Sequence, residues 1–256
     1  VFLMAGFGLS PVFASILEQM GFSVRTAFGA VGVCCMISGI IFLALRSAIE
    51  KLAINTAPDN RSSLSLSAVA SIFRSPGWLP VVMVFLGASV FAGMNNFQTS
   101  FAQAEGQNYA DFFLAYTVTV IVCRLMLAGF SGGRSPYRTI AFLQYIMFAS
   151  VILFMFVDSS RLLYIFSAVL FGIGYGASYP VLAAMAANDA REDLVPQTLQ
   201  LFALTYFIGI FGFPFIAGWL IIDFSIPTLL VGIAVMAIIE ATMAFIRHLN
   251  VQRNGS

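Results

Sequence analysis

Residues 111–138 read DFFLAYTVTVIVCRLMLAGFSGGRSPYR. A helix needs about 20 predominantly apolar residues to cross the hydrocarbon core of a bilayer, and this stretch supplies them with a single interruption, Arg124. It then ends in a glycine-rich turn carrying Arg134 and Arg138. The run predicts a membrane span, and the basic turn predicts which of its ends faces the cytoplasm.

The whole chain is composed in the same way. Of 256 residues, 60% are hydrophobic and 9% charged, whereas soluble domains carry about 25% charged residues because their surface must face water. Most of this surface must face lipid or other helices. Phe (27) suits lipid contact and Gly (21) suits close helix packing. The net charge of +1 gives no basis for nucleic-acid binding. Cys34, Cys35 and Cys123 lie in apolar runs without metal-site spacing and are expected to be small buried hydrophobes. The one histidine, His248, follows the last span, which excludes a multi-histidine cluster. Val1 opens in mid-hydrophobic sequence without the basic region and cleavage site of a signal peptide. The chain is therefore expected to be a fragment that lacks an N-terminal part and does not transport by itself.

Eight spans are predicted, at about 2–18, 26–45, 77–100, 111–131, 139–157, 162–186, 199–222 and 227–246, the first incomplete. Residues 46–76 form a long polar stretch, within which Leu64, Leu66, Val69, Ile72 and Phe73 predict a short amphipathic helix at the interface. On alternate loops, nine basic residues (Arg46, Lys51, Arg61, Arg74, Arg134, Arg138, Arg191, Arg247 and Arg253) fall on one side and two, Arg25 and Arg161, on the other. That bias predicts a cytoplasmic long loop and a cytoplasmic C-terminus.

This layout, two spans, a long loop and six spans, resembles the major facilitator superfamily of secondary transporters. The resemblance implies an all-α membrane protein, a major-facilitator-type helical bundle of which about eight transmembrane helices are present. Residues 1–45 then hold the last two helices of the N-terminal bundle and 46–76 the cytoplasmic central loop. Residues 77–247 form the C-terminal six-helix bundle, and 248–256 a cytoplasmic tail. The segment GFSGGRSPYR, residues 129–138, resembles the family's cytoplasmic loop motif, Gly-x-x-x-Asp-Arg-x-Gly-Arg-Arg. Gly129, Arg134 and Arg138 match it and are the gating candidates. Gly133 replaces the aspartate, Pro136 the second glycine and Tyr137 the first terminal arginine. The plainer reading is a positively charged turn whose arginines approach helix-end carbonyls or lipid phosphates.

Two charges lie inside spans. Arg124 costs roughly 2.5–3.5 kcal/mol at a span centre, and sits about 10 Å from the loop at 1.5 Å per residue. It either snorkels to the cytoplasmic headgroups or serves as a cavity charge for an anionic substrate or a salt-bridge gate. Thr117 and Ile121 share its helix face. Glu240 in the last span is a buried carboxylate candidate, either protonated or bonded across helices, or a proton carrier. Asp111 and Glu105 belong to outer helix ends and are expected to be solvated.

Residues 172–180, GIGYGASYP, place Gly172 and Gly176, and likewise Tyr175 and Tyr179, one turn apart in one helical sector. Small residues let helices approach closely, and Pro180 is expected to kink the helix. The resemblance puts this helix on the central cavity, making Tyr175 and Tyr179 candidate substrate contacts; packing and interhelical bonds are the alternative. Asn95, Asn96 and Gln98 near the outer end of 77–100 are further cavity candidates by the same resemblance, or they bond across helices. Gly209, Gly212, Pro214 and Gly218 either let the next span bend or serve close packing.

The function that follows is transport of a small molecule by alternating access, as proton-coupled efflux across the plasma membrane. The alternative is a transport-dead sensor or scaffold of the same fold. A membrane enzyme is disfavoured, because no His, Cys or carboxylate cluster falls at catalytic spacing in a span. The expected partners are a small-molecule substrate, a proton and the lipid bilayer. No cofactor, metal or nucleic acid is expected, and the chain is expected to act as a monomer.

Overall fold

A computed structural model describes residues 2–56, 64–126 and 135–254. Among these, every regular element is helical: α1 (Phe2–Gln19), α2 (Val24–Thr56), α3 (Leu66–Phe73), α4 (Trp78–Asn96), α5 (Gln98–Ala104), α6 (Tyr109–Met126), α7 (Pro136–Phe154), α8 (Arg161–Asn188), a 3-10 turn (Glu192–Leu194), α9 (Val195–Asp223) and α10 (Ile226–Asn254). Seven helices among the described residues are long and apolar enough to cross a membrane. They coincide with all of the predicted spans except the first, α1. At 1.5 Å per residue the 29 residues of α10 reach about 43 Å. That exceeds the roughly 30 Å of hydrocarbon, so the helix is long enough to cross it.

The chain divides into two compact units, Ser10–Ser63 and Val1–Leu9 with Leu64–Ser256. In the first, α1 and α2 are joined by a turn in which Gly21 has φ +81° and donates its N–H to Glu18 O. This is the left-handed helix ending that glycine adopts without a Cβ clash. α2 continues eleven residues past the predicted end at 45, because no proline or glycine stops it and an Arg46–Glu50 pair at 2.7 Å spans one turn. Cys34 and Cys35 are exposed on α2 rather than buried. Their neighbours Val33, Met36 and Ile37 are exposed too, so α2 is uncovered all round over this turn.

In the second unit α4 packs on α9 and α10, α7 on α8 and α10, and α6 on α8. Glycine sets how close these axes come. A Cβ at Gly174 of α8 would stand 2.7 Å from the Met147 backbone nitrogen of α7. Gly172 and Gly176, on another face of α8, meet Tyr116 O and Val120 of α6 in the same way. The predicted small-residue pair, Gly172 and Gly176, thus sets the approach to α6, and Gly174 sets the approach to α7. Pro180 lies within α8 and Pro214 within α9, and both helices run on through them.

The predicted interfacial helix is α3. Ser65 Oγ caps it by accepting from Ala68 N at 3.1 Å. Its Ala68 and Ile72 are buried and it packs on α9, while Leu66 and Phe73 are exposed. The predicted span 77–100 breaks at Phe97 into α4 and α5. Asp111 is not free in solvent: Arg161 of α8 pairs with it through two hydrogen bonds of 2.7 and 3.1 Å.

Candidate functional site

Three tyrosines meet between α8 and α9. The two on α8 project from one sector because they are one turn apart, and Tyr206 of α9 faces them. Tyr175 is buried and stacks on Phe91 of α4, with centroids 4.4 Å apart at 9°. Its hydroxyl donates to the Tyr206 hydroxyl at 3.3 Å. The Tyr179 and Tyr206 rings meet edge to face at 5.1 Å. The predicted pair is thus part of a trio, whose third member carried no sequence signal beyond being a tyrosine in an apolar helix.

These tyrosines line a narrow cleft with Val84, Gly87, Ala88, Gln144, Ser178, Leu182 and Glu240. It leaves about 10 Å³ for the centre of a water molecule, close to the minimum that admits one water. At its inner end Gln144 Nε2 of α7 donates to Glu240 Oε1 of α10 at 2.7 Å, and Glu240 is fully buried. A Cβ at Gly87 of α4 would stand 3.1 Å from both carboxylate oxygens, so glycine is what lets the carboxyl lie against that helix. Glu240 therefore points into the bundle and is bonded across helices, one of the two readings its sequence position allowed.

Arg124 lies in the last turn of α6 and is not among the residues that line this cleft. It is half-buried, and its Nε is fully buried with no hydrogen-bond partner among the described residues. The hydroxyls of Tyr116 and Thr117, also on α6, are buried and unpartnered. Buried polar groups are nearly always paired, so three orphans on one helix beside a tyrosine cluster mark a polar site. Guanidinium and hydroxyl donors together suit an anionic group. Arg124 and Glu240 form no salt bridge with each other.

The remaining candidates separate. Asn95 is buried and donates to Phe91 O of its own helix at 2.8 Å, and Asn96 is exposed and donates to Ala92 O at 2.9 Å. Gln98 donates across to Tyr164 OH of α8 at 2.7 Å. The amides are thus not gathered into the cleft. Gly129 and Arg134 lie outside the described residues, and Arg138 is exposed in the first turn of α7.

A second polar group ties the ends of α7, α8 and α10. The Tyr137 hydroxyl donates to Asp189 Oδ2, the Arg247 guanidinium lies 5.5 Å over the Tyr137 ring, and Ser135 Oγ is 3.1 Å from His248 Nδ1. Burial pushes the Asp189 carboxyl above its ordinary value, and the Arg247 charge partly opposes that.

A family model described as the Major Facilitator Superfamily matches residues 1–214, well over half of the chain. No curated protein matches it.

Proposed function

The chain belongs to the Major Facilitator Superfamily, and on that premise we propose that it moves a small organic anion by alternating access, as proton-coupled efflux. Membership makes it a multi-pass membrane protein of a secondary-transporter family. The choice of an anion rests on one observation: Arg124 Nε is buried and has no hydrogen-bond partner among the described residues. Substrate in such folds sits near the midplane between two bundles that rock against each other. Here α4 and α6–α10 supply one wall, Tyr175, Tyr179 and Tyr206 contact the substrate, and Arg124 holds its charge. Residues 1–45 belong to the other bundle and 46–76 to the central loop. The nine-to-two split of basic residues supports a cytoplasmic C-terminus.

A transport-dead sensor of the same fold is the second reading, favoured by Gly133 at the acidic position of the loop motif. Full-length protein in proteoliposomes, loaded in turn with small organic anions, cations and neutral solutes, decides between them. Saturable flux of an anion supports the proposal. Binding of an anion without flux supports the sensor.

A further inference from the structure

We propose that Glu240 and Gln144 form a proton-binding site, on a cleft shared with Tyr175, Tyr179 and Tyr206 that leaves room for about one water. As a coupling site it rests on the transport reading; as a proton site it stands independently.

Position comes first. Glu240 is the central residue of α10 (Ile226–Asn254), fourteen residues from either end. It is the only acidic residue in the long helices of this unit that is not near a helix end; the others are Asp111 in the first turn of α6 and Asp223 at the end of α9. A carboxyl at that depth with no structural partner charge calls for a function.

The hydrogen-bond inventory supplies the second step. One N–H of Gln144 reaches Glu240 Oε1. Glu240 Oε2 and Gln144 Oε1 are both buried, and neither has a donor among the described residues. An ionised carboxylate has only acceptors to offer, whereas a carboxylic acid has one O–H donor. Proton binding at Glu240 therefore supplies the donor that this pair lacks. Gln144 acts as a positioning residue, holding Oε1 so that Oε2 is the atom that gains and loses the proton.

Its surroundings decide which ion is bound. The other titratable groups on the cleft are Tyr175 and Tyr179 of α8 and Tyr206 of α9; α4 and α7 present no charged side chain to it. No cation among the described residues pairs with the carboxylate, so deprotonation must be transient or offset by a ligand arriving in the cleft. Two free oxygens are too few to replace the hydration shell of a metal cation. In release, the O–H bond at Glu240 Oε2 breaks and the proton passes to a water in the cleft, leaving a carboxylate still held by Gln144 Nε2. Uptake is the reverse.

The test is infrared difference spectroscopy of full-length protein in nanodiscs, titrated from acid to alkaline pH. The expected result is a carboxylic-acid C=O band that shifts in heavy water, disappears reversibly as pH rises and is missing in Glu240→Gln. Gln144→Leu should retain the band at a different frequency, and so should Glu240→Asp, which covers the case of a Glu240→Gln protein that does not fold. A band unchanged at every pH at which the protein stays folded would overturn the proposal. So would its absence at all pH values, or its removal by sodium at constant pH. None of these readings requires flux, so their failure leaves the transport proposal standing, and absent flux leaves the proton site standing.

Discussion

Gln144 of α7 and Glu240 of α10, 96 residues apart in sequence, are joined by a 2.7 Å hydrogen bond inside the bundle, and Arg124 takes no part in it. The two intramembrane charges therefore do different work. Arg124 carries a buried donor with no partner among the described residues, and Glu240 is held in the cleft by a neutral amide.

Removing the amide isolates the carboxyl. Gln144→Leu should destabilise the protein by about 1–3 kcal/mol, the usual cost of leaving a buried polar group without its partner. Replacing both residues by leucine should recover most of that loss, since removing both partners is far less costly than removing one. Thermal unfolding in detergent checks both variants. Equal losses in the single and double variants would count against the bond's structural role.

Close packing of α8 predicts a contrast between two glycines. Gly174→Ala should cost about 1–3 kcal/mol, because its Cβ would press on the Met147 backbone. A Cβ at Gly212 meets nothing within 4 Å, so Gly212→Ala should leave stability unchanged or slightly raised. The same unfolding measurement compares the two, and equal effects would contradict the packing.

Asp189 predicts a pH dependence. Its native carboxyl titrates above the ordinary value of 3.8. Between that value and the raised one, the folded state keeps a proton that the unfolded state has released. Stability contributed here is thus fully present at acid pH and falls as pH rises through that window. The unfolding midpoint of Asp189→Asn should lack this decline. An identical slope in both proteins would rule out Asp189 as its source.

Much of this architecture was legible in the sequence, because lipid solvation demands long apolar runs and the runs are separated by short polar links. Helix ends were less legible. α2 outlasts its apolar run because a helix stops at a breaker rather than at the membrane surface. The 77–100 run is interrupted at Phe97, next to Asn95 and Asn96, whose amides bond back to carbonyls of their own helix. Tyr175, Tyr179, Arg124 and Glu240 stood out as polar residues in apolar surroundings. Their partners did not, because Gln144, Tyr206 and Gly87 come from three other helices and only the packing brings them together. Hydropathy also carries no information about which way a helix face turns, so the sequence alone did not show which helix Glu240 meets.

The most direct test of transport through the Arg124–tyrosine site is anion flux by full-length protein in proteoliposomes, compared with Arg124→Lys and Arg124→Ala at matched insertion. A hydrogen bond to a charged group contributes about 1.5–3 kcal/mol. Arg124→Ala should therefore lower flux at limiting substrate by roughly ten- to a hundredfold, with Arg124→Lys intermediate. Unchanged flux in both variants would show that Arg124 only reaches toward the headgroups, and would contradict its role in the site.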